Sequence, residues 1–289
     1  MSKIKSVVKN WWAYYFVKWG LCKRANLKVK VSNGLFNIDI NQFNFQRTKF
    51  FIKALLRLKD KFQYFSNSDK ILLIKVSPGI RFLIRPIIND IGILEELFVK
   101  DEYACLYPYI KDSVILDIGA YIGDSSVLFC SRGAKKVYAY EPHPDLYKMA
   151  VANIKLDNLE DRVNVANYGV GGRKEALEVN EGVSGATSCF GGEIGPKGRS
   201  VRLNILPLIE ILNNIGKVDI IKMDCEGAEF EAILSCPVEP LKQIKAFLLE
   251  YHREPTSLIE YFKKAGFRVS KVGQEFKGVG LLFATNTRD

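Results

Sequence analysis

Asp117, Gly119, Ala120, Tyr121 and Gly123 stand in one short stretch, D-I-G-A-Y-I-G, and Glu141 follows Gly119 by 22 positions. Glycine at such a bend lets backbone amides approach a ligand closely, and an acidic residue about 20 positions on can accept hydrogen bonds from ribose hydroxyls. The spacing therefore predicts a ligand that contains ribose. A dinucleotide fingerprint would read G-x-G-x-x-G, and position 121 is tyrosine where its second glycine belongs. An ordinary strand-to-helix bend explains the glycines alone, but not Asp117 and Glu141 at this spacing. The Asp117 carboxylate would repel phosphates and attract an ammonium or sulfonium group. That charge preference selects S-adenosylmethionine over a pyrophosphate.

A second stretch, I-K-M-D-C-E-G-A-E over residues 221–229, carries Asp224, Glu226 and Glu229 at a strand-to-helix junction. Helix capping and the macrodipole would favour carboxylates there on structural grounds. Asp224 nevertheless falls at a predicted strand end, facing the same crevice as the glycine turn. His252 ends a later strand, and its ordinary pKa of about 6.5 makes it the candidate base for an acceptor hydroxyl. Asp224, Glu226 and Glu250 offer too few ligands for a divalent metal to be assigned. The six cysteines are scattered without a C-x-x-C pair and there are only two histidines, which argues against a zinc site or disulfide framework and for a reducing compartment.

These residues need elements to position them. The 289-residue chain is 48% hydrophobic and 26% charged, the balance of a globular protein with a sizeable core. From residue 113 strands and helices alternate. Strands are predicted at 114–118, 136–141, 162–167, 218–224 and 245–251, with a closing hairpin at 267–272 and 279–284, and helices at 124–132, 144–156, 227–234 and 255–265. Such alternation predicts a doubly wound α/β sheet with its ligand beyond the carboxyl ends of the strands. Asp117, Glu141, Asn167, Asp224 and His252 all fall at or just after those ends. Upstream, residues 71–74 and 80–85 read as two strands around a turn at 77–79, followed by a helix over 92–99. Residues 1–67 read as irregular or helical, including a basic amphipathic helix over 49–62. The predicted division is a basic aromatic extension, 1–69, and a main domain, 70–289.

The segments 117–123, E-P-H-P at 141–144, 222–229 and L-E-Y-H at 249–252, with 85–103 upstream, resemble those of FkbM-type S-adenosylmethionine-dependent methyltransferases. The resemblance spans about residues 70–284. It implies a Rossmann-like class I methyltransferase fold, a seven-stranded mostly parallel sheet with a C-terminal antiparallel hairpin. It further implies that Asp117, Gly119 and Ala120 cradle the methionine part, with Tyr121 and Gly123 in the same turn. Glu141 would hold the ribose, Pro142 and His143 would border the adenosine pocket, and Asn167, Tyr168 and Gly169 would lie near adenine. Asp224 would face the sulfonium side with Glu226 close by.

Methylation of a hydroxyl on a sugar, glycolipid or other small polyhydroxylated acceptor is the expected reaction, with acceptor choice set by the glycine-rich segment 181–200. RNA is the main alternative acceptor, suggested by the basic extension. Enzymes acting on base amino groups often carry N-P-P-Y after the fourth strand, and D-C-E-G at 224–227 favours oxygen instead. A third reading is a binding module without chemistry. Through Asp112 there are 20 lysines and arginines against 9 acidic residues, and the remaining chain is nearly neutral. Through Lys30 there are eight basic residues and no acidic one, interleaved with Trp11, Trp12, Tyr14, Tyr15, Phe16 and Trp19. An anionic neighbour, membrane surface or nucleic acid, is expected there. The apolar run 11–17 is broken by Lys18, too short to span a bilayer and too bulky for an export signal. The expected location is the cytoplasm, at the inner membrane surface if the extension attaches to lipid. Oligomeric state is not legible.

Overall fold

A computed structural model describes residues 2–31, 34–58, 61–66, 71–76, 79–86, 88–180 and 199–287. Two short helices, α1 (Ser2–Lys5) and α2 (Trp11–Lys18), precede an antiparallel hairpin of β1 (Arg24–Val31) and β2 (Gly34–Asn41). Leu27 and Val29 are buried while Lys28 and Lys30 face solvent, the two-residue alternation of a half-buried strand. The irregular or helical reading of residues 1–67 is corrected here. Lys28 and Lys30, which read as basic texture, occupy outward positions of β1, and Asn33-Gly34 in the sequence is a favoured hairpin dipeptide.

Next, α3 (Phe45–Leu58) buries Phe51, Ile52, Ala54, Leu55 and Leu58 along one stripe. β3 (Phe62–Ser66), β4 (Leu72–Val76) and β5 (Ile80–Ile84) form an antiparallel sheet in that order. In α4 (Asp90–Phe98) the fully buried Asp90 carboxylate accepts from the Arg85 guanidinium at 2.7 and 3.0 Å and from the Arg85 backbone amide at 2.8 Å. The chain divides into compact units of residues 1–101 and 102–289. Pairing of β3 with β4 runs across residue 70 and holds the later strands to the first unit.

The second unit begins with a 3-10 turn (Ala104–Leu106) and α5 (Tyr107–Ile110), then β6 (Val114–Ile118), α6 (Asp124–Ser131), β7 (Lys136–Tyr140), α7 (Pro144–Leu156) and β8 (Val163–Ala166). After β9 (Gly169–Gly171), β10 (Glu175–Asn180), β11 (Ser200–Pro207) and α8 (Leu208–Ile215) come β12 (Ile220–Met223), α9 (Glu229–Leu234), α10 (Val238–Leu241) and β13 (Ala246–Tyr251). α11 (Thr256–Lys264) leads to the hairpin of β14 (Phe267–Phe276) and β15 (Val279–Asn286). Seven strands form one sheet in the order β14-β15-β13-β12-β6-β7-β8. All neighbours from β13 to β8 are parallel, and β15 runs antiparallel to β13.

Parallel strands covered on both faces should be apolar throughout. Ile115, Leu116 and Ile118 of β6, Ile220, Ile221 and Met223 of β12 and residues 246–249 of β13 are accordingly buried. β6 pairs with β7 on one side and β12 on the other, so the strand order reverses there and opens a crevice at the carboxyl edge. The sequence reading lacked the small sheet β10-β11-β9. Of the segment expected to choose the acceptor, 181–198 lies outside the described residues.

Candidate active site at the carboxyl edge of the sheet

Leaving β6, the chain turns sharply, and the amides of Gly119 and Ala120 both donate to the Tyr140 carbonyl at 2.9 and 3.1 Å. Gly119 has φ +73°, and a Cβ built there would stand 1.7 Å from the Asp224 backbone carbonyl oxygen. The glycine is thus required twice, by conformation and by the approach of the β12 exit. Tyr121 (φ 49°) and Gly123 (φ 84°) continue the left-handed turn into α6. Glu141, just past β7, spans this turn: its Oε2 accepts from the Tyr121 amide at 2.9 Å and its Oε1 from the His143 amide at 2.9 Å. Burial pushes the Glu141 carboxyl up to about 8 against the opposing pull of those two amides. Each oxygen retains a second lone pair for a ligand hydroxyl.

His143 is buried and its Nδ1 accepts from the Asp145 amide at 3.2 Å, capping α7. Asn167, just past β8, donates to the carbonyls of Glu141 and Pro142, both at 2.9 Å, and thereby holds the loop after β7. Gly169 is packed under Ile205 and Pro142, whereas Tyr168 beside it is exposed.

Asp117 is fully buried. Its Oδ2 accepts from Ser125 and Ser126 Oγ, each at 2.6 Å, and Lys222 Nζ lies 3.5 Å from Oδ1. Lys222 itself is only 3% exposed and donates to the Gly119 carbonyl at 2.8 Å. Burial disfavours the charged ammonium, but the charges of Asp117, Asp224, Asp124 and Glu250 outweigh it and leave the Lys222 pKa raised. Asp117 therefore holds the turn through an internal ion pair, with its charge met by lysine from within the protein. Sequence reasoning assigned no role to Lys222. The available signal was a lone lysine inside an apolar buried strand, where lysine is rare unless paired.

Beyond β12 and β13, Asp224, Glu226 and His252 each place one side-chain oxygen or nitrogen within 4.8 Å of the others. His252 Nε2 lies 3.3 Å from Glu226 Oε2, and its Nδ1 lies 3.4 Å from Glu229 Oε1. Its backbone amide also donates to Glu229 Oε1 at 3.1 Å. Burial disfavours the imidazolium, yet hydrogen bonds and charge from Glu226 and Glu229 raise the His252 pKa to about 10. The two carboxylates thus favour the protonated ring. Glu250 is pushed up to about 9, first by burial and then by the charge of Asp224 and a hydrogen bond to it, so the Asp224–Glu250 pair keeps one proton at neutral pH.

A proton NMR titration should find His252 titrating near pH 10, with Glu226→Gln moving it down towards 6.5. Since the folded pKa is the higher one, the stability this ion pair contributes is full below about pH 6.5 and is lost as pH rises through 10. An unshifted wild-type titration would contradict the geometry.

The carboxyl edge thus gathers the glycine turn, Glu141 and the acidic cluster from neighbouring strand ends, with Asn167, Pro142 and Gly169 packed beside Glu141. A methyltransferase FkbM from Methylobacillus flagellatus KT is similar in structure, with a TM-score of 0.43 and 15% identity over 60% of this chain and 43% of that one. The chain therefore spans less than half the length of that relative. A candidate tRNA (m1A22) methyltransferase from Streptococcus pneumoniae, in complex with S-adenosyl-L-methionine, has a TM-score of 0.42 and 14% identity over 64% of this chain and 72% of that one. Precorrin-6y C5,15-methyltransferase from Geobacter metallireducens GS-15 gives 0.40 and 14%, covering 64% and 87%. No curated protein matches the sequence. The family model described as "Methyltransferase FkbM domain" matches residues 117–269, more than half of the chain. The chain belongs to the methyltransferase FkbM domain family.

Proposed function

We propose that the protein is an S-adenosylmethionine-dependent O-methyltransferase acting on a hydroxyl of a sugar, glycolipid or other small polyhydroxylated acceptor. The observation that carries this reading is the acidic cluster beyond β12 and β13, which touches the glycine turn through the Gly119–Asp224 backbone contact. The residues present suit the cofactor: a turn closed to any side chain at Gly119, a carboxyl at Glu141 for the ribose diol, and carboxylates near Asp224 for positive charge. Bound there, S-adenosylmethionine supplies an electrophilic methyl group, which the acceptor oxygen takes as the carbon–sulfur bond breaks and its electron pair stays on sulfur.

The chain's own part is to orient and to move a proton. Asp117, through Ser125, Ser126 and Lys222, fixes the turn on which the donor rests. Holding donor and acceptor in line supplies much of the rate. The hydroxyl proton goes to the Asp224–Glu250 pair, whose own proton the positive charge of a bound donor would displace, leaving a carboxylate to accept it. His252, charged between Glu226 and Glu229, orients Glu226 beside the acceptor. D-C-E-G at 224–227, in place of an amide-bearing N-P-P-Y pocket, supports an oxygen acceptor.

Calorimetric titration with S-adenosylmethionine tests the donor site. The wild type should bind, and Glu141→Gln, which keeps shape but loses an acceptor, should bind about tenfold more weakly or worse. Labelled methyl transfer to a panel of polyols, with RNA alongside, tests the acceptor. Incorporation into RNA and into no polyol would overturn O-methylation. A well-folded wild type that binds no S-adenosylmethionine would favour the binding-module reading.

A further inference from the structure

Trp12, Phe16 and Trp19 recur at i, i+4 and i+7, so at about 100° per residue they fall within about 60° of the circumference of α2. They are 52%, 42% and 59% exposed, and Leu21, just beyond the helix, is 67% exposed. Between them Ala13, Tyr14, Tyr15 and Val17 are buried. The helix therefore has an inner face packed into its own unit and a second apolar face turned to solvent, the reverse of what a solvated helix presents. Seven of the eleven exposed large hydrophobic side chains among the described residues belong to the first unit.

Charge follows the same division. Residues 1–101 hold 19 lysines and arginines against 7 acidic residues, a formal +12, whereas 102–289 hold 23 against 25. Lys9 and Lys23 are exposed and flank the aromatic positions in the chain, and the exposed Lys18 lies between Phe16 and Trp19. Among the described residues no helix is long and apolar enough to cross a membrane.

We infer that α2, with Leu21 and the flanking lysines, is a docking surface for the headgroup layer of an anionic lipid bilayer. Tryptophan and phenylalanine place an apolar body at the acyl boundary, and lysine meets the headgroup charge. Single-stranded nucleic acid would instead call for aromatic platforms along a cationic groove. Here the rings gather on one face of a single helix, with Trp12 and Phe16 in edge contact at 5.7 Å.

All three tryptophans of the protein, Trp11, Trp12 and Trp19, lie in this segment, so intrinsic tryptophan emission reports on this surface alone. Adding vesicles of phosphatidylcholine with phosphatidylglycerol to the full-length protein should shift the emission to the blue and shield it from iodide. Pure phosphatidylcholine should do so weakly, and added salt should weaken the binding. Trp12→Ser combined with Phe16→Ser should lower vesicle partitioning by roughly tenfold or more, with the thermal midpoint unchanged. Should that variant misfold, Lys18→Glu with Lys23→Glu should lower partitioning only where phosphatidylglycerol is present. Unchanged wild-type emission with anionic vesicles would overturn the inference. So would a blue shift produced by raising protein concentration alone, which assigns the face to a second copy, or by single-stranded RNA without any vesicle response. These readings do not depend on methyl transfer, so either conclusion can fail alone.

Discussion

Gly119→Ala is expected to lower stability by roughly 3 kcal/mol or more and to abolish S-adenosylmethionine binding in whatever remains folded. The new Cβ would fall 1.7 Å from the Asp224 carbonyl oxygen, at a residue held at φ +73°. A backbone atom cannot swing aside as a side-chain tip can. Either the glycine turn or the exit of β12 must move, and both line the same crevice. Gly227→Ala is the matched control. That glycine is also left-handed, at φ +107°, but has open space around it, so the variant should lose only about 1–2 kcal/mol of conformational preference. Thermal unfolding of the two variants side by side separates steric conflict from backbone strain, and equal losses would refute the close approach.

Lys222→Met should cost about 3–5 kcal/mol, because it leaves the Asp117 carboxylate buried with two serine donors and no countercharge. Asp117 can escape that penalty by taking up a proton, which gives the variant a distinctive pH profile. Denaturant midpoints should therefore diverge from wild type more at pH 8 than at pH 5. Adding Asp117→Asn should recover part of the loss, since a neutral amide needs no countercharge. A single variant with wild-type stability at both pH values would show that the buried pair does not hold the turn.

The sheet was legible because its strands are buried on both faces and therefore written as short apolar runs, with the chemistry at their ends. Glu141 and Asp224 follow the ends of β7 and β12, as the strand pattern placed them, and β6 was read to the residue at 114–118. What escaped has physical causes. β10 is exposed at most positions, so no apolar run marks it. β1 shares its alternation with lysines, which drew attention as charge and hid the strand. Lys222 and Glu250 were legible as residues, but a strand pattern cannot say that one neutralises Asp117 or that the other shares a proton with Asp224. His252 was read at its ordinary pKa because the carboxylates that raise it, Glu226 and Glu229, meet it only across the fold.

The carboxyl pair at Asp224 and Glu250 stores a proton that a neighbouring positive charge would drive out into the buffer. The methyl donor arrives as a cation and leaves, once the methyl is gone, with a neutral sulfur. Loading the site should thus acidify the surroundings, and the acceptor's hydroxyl proton refills the pair at turnover. Donor affinity should then rise with pH through this linkage while that of the neutral product does not, so alkaline conditions favour the charged donor over the spent one.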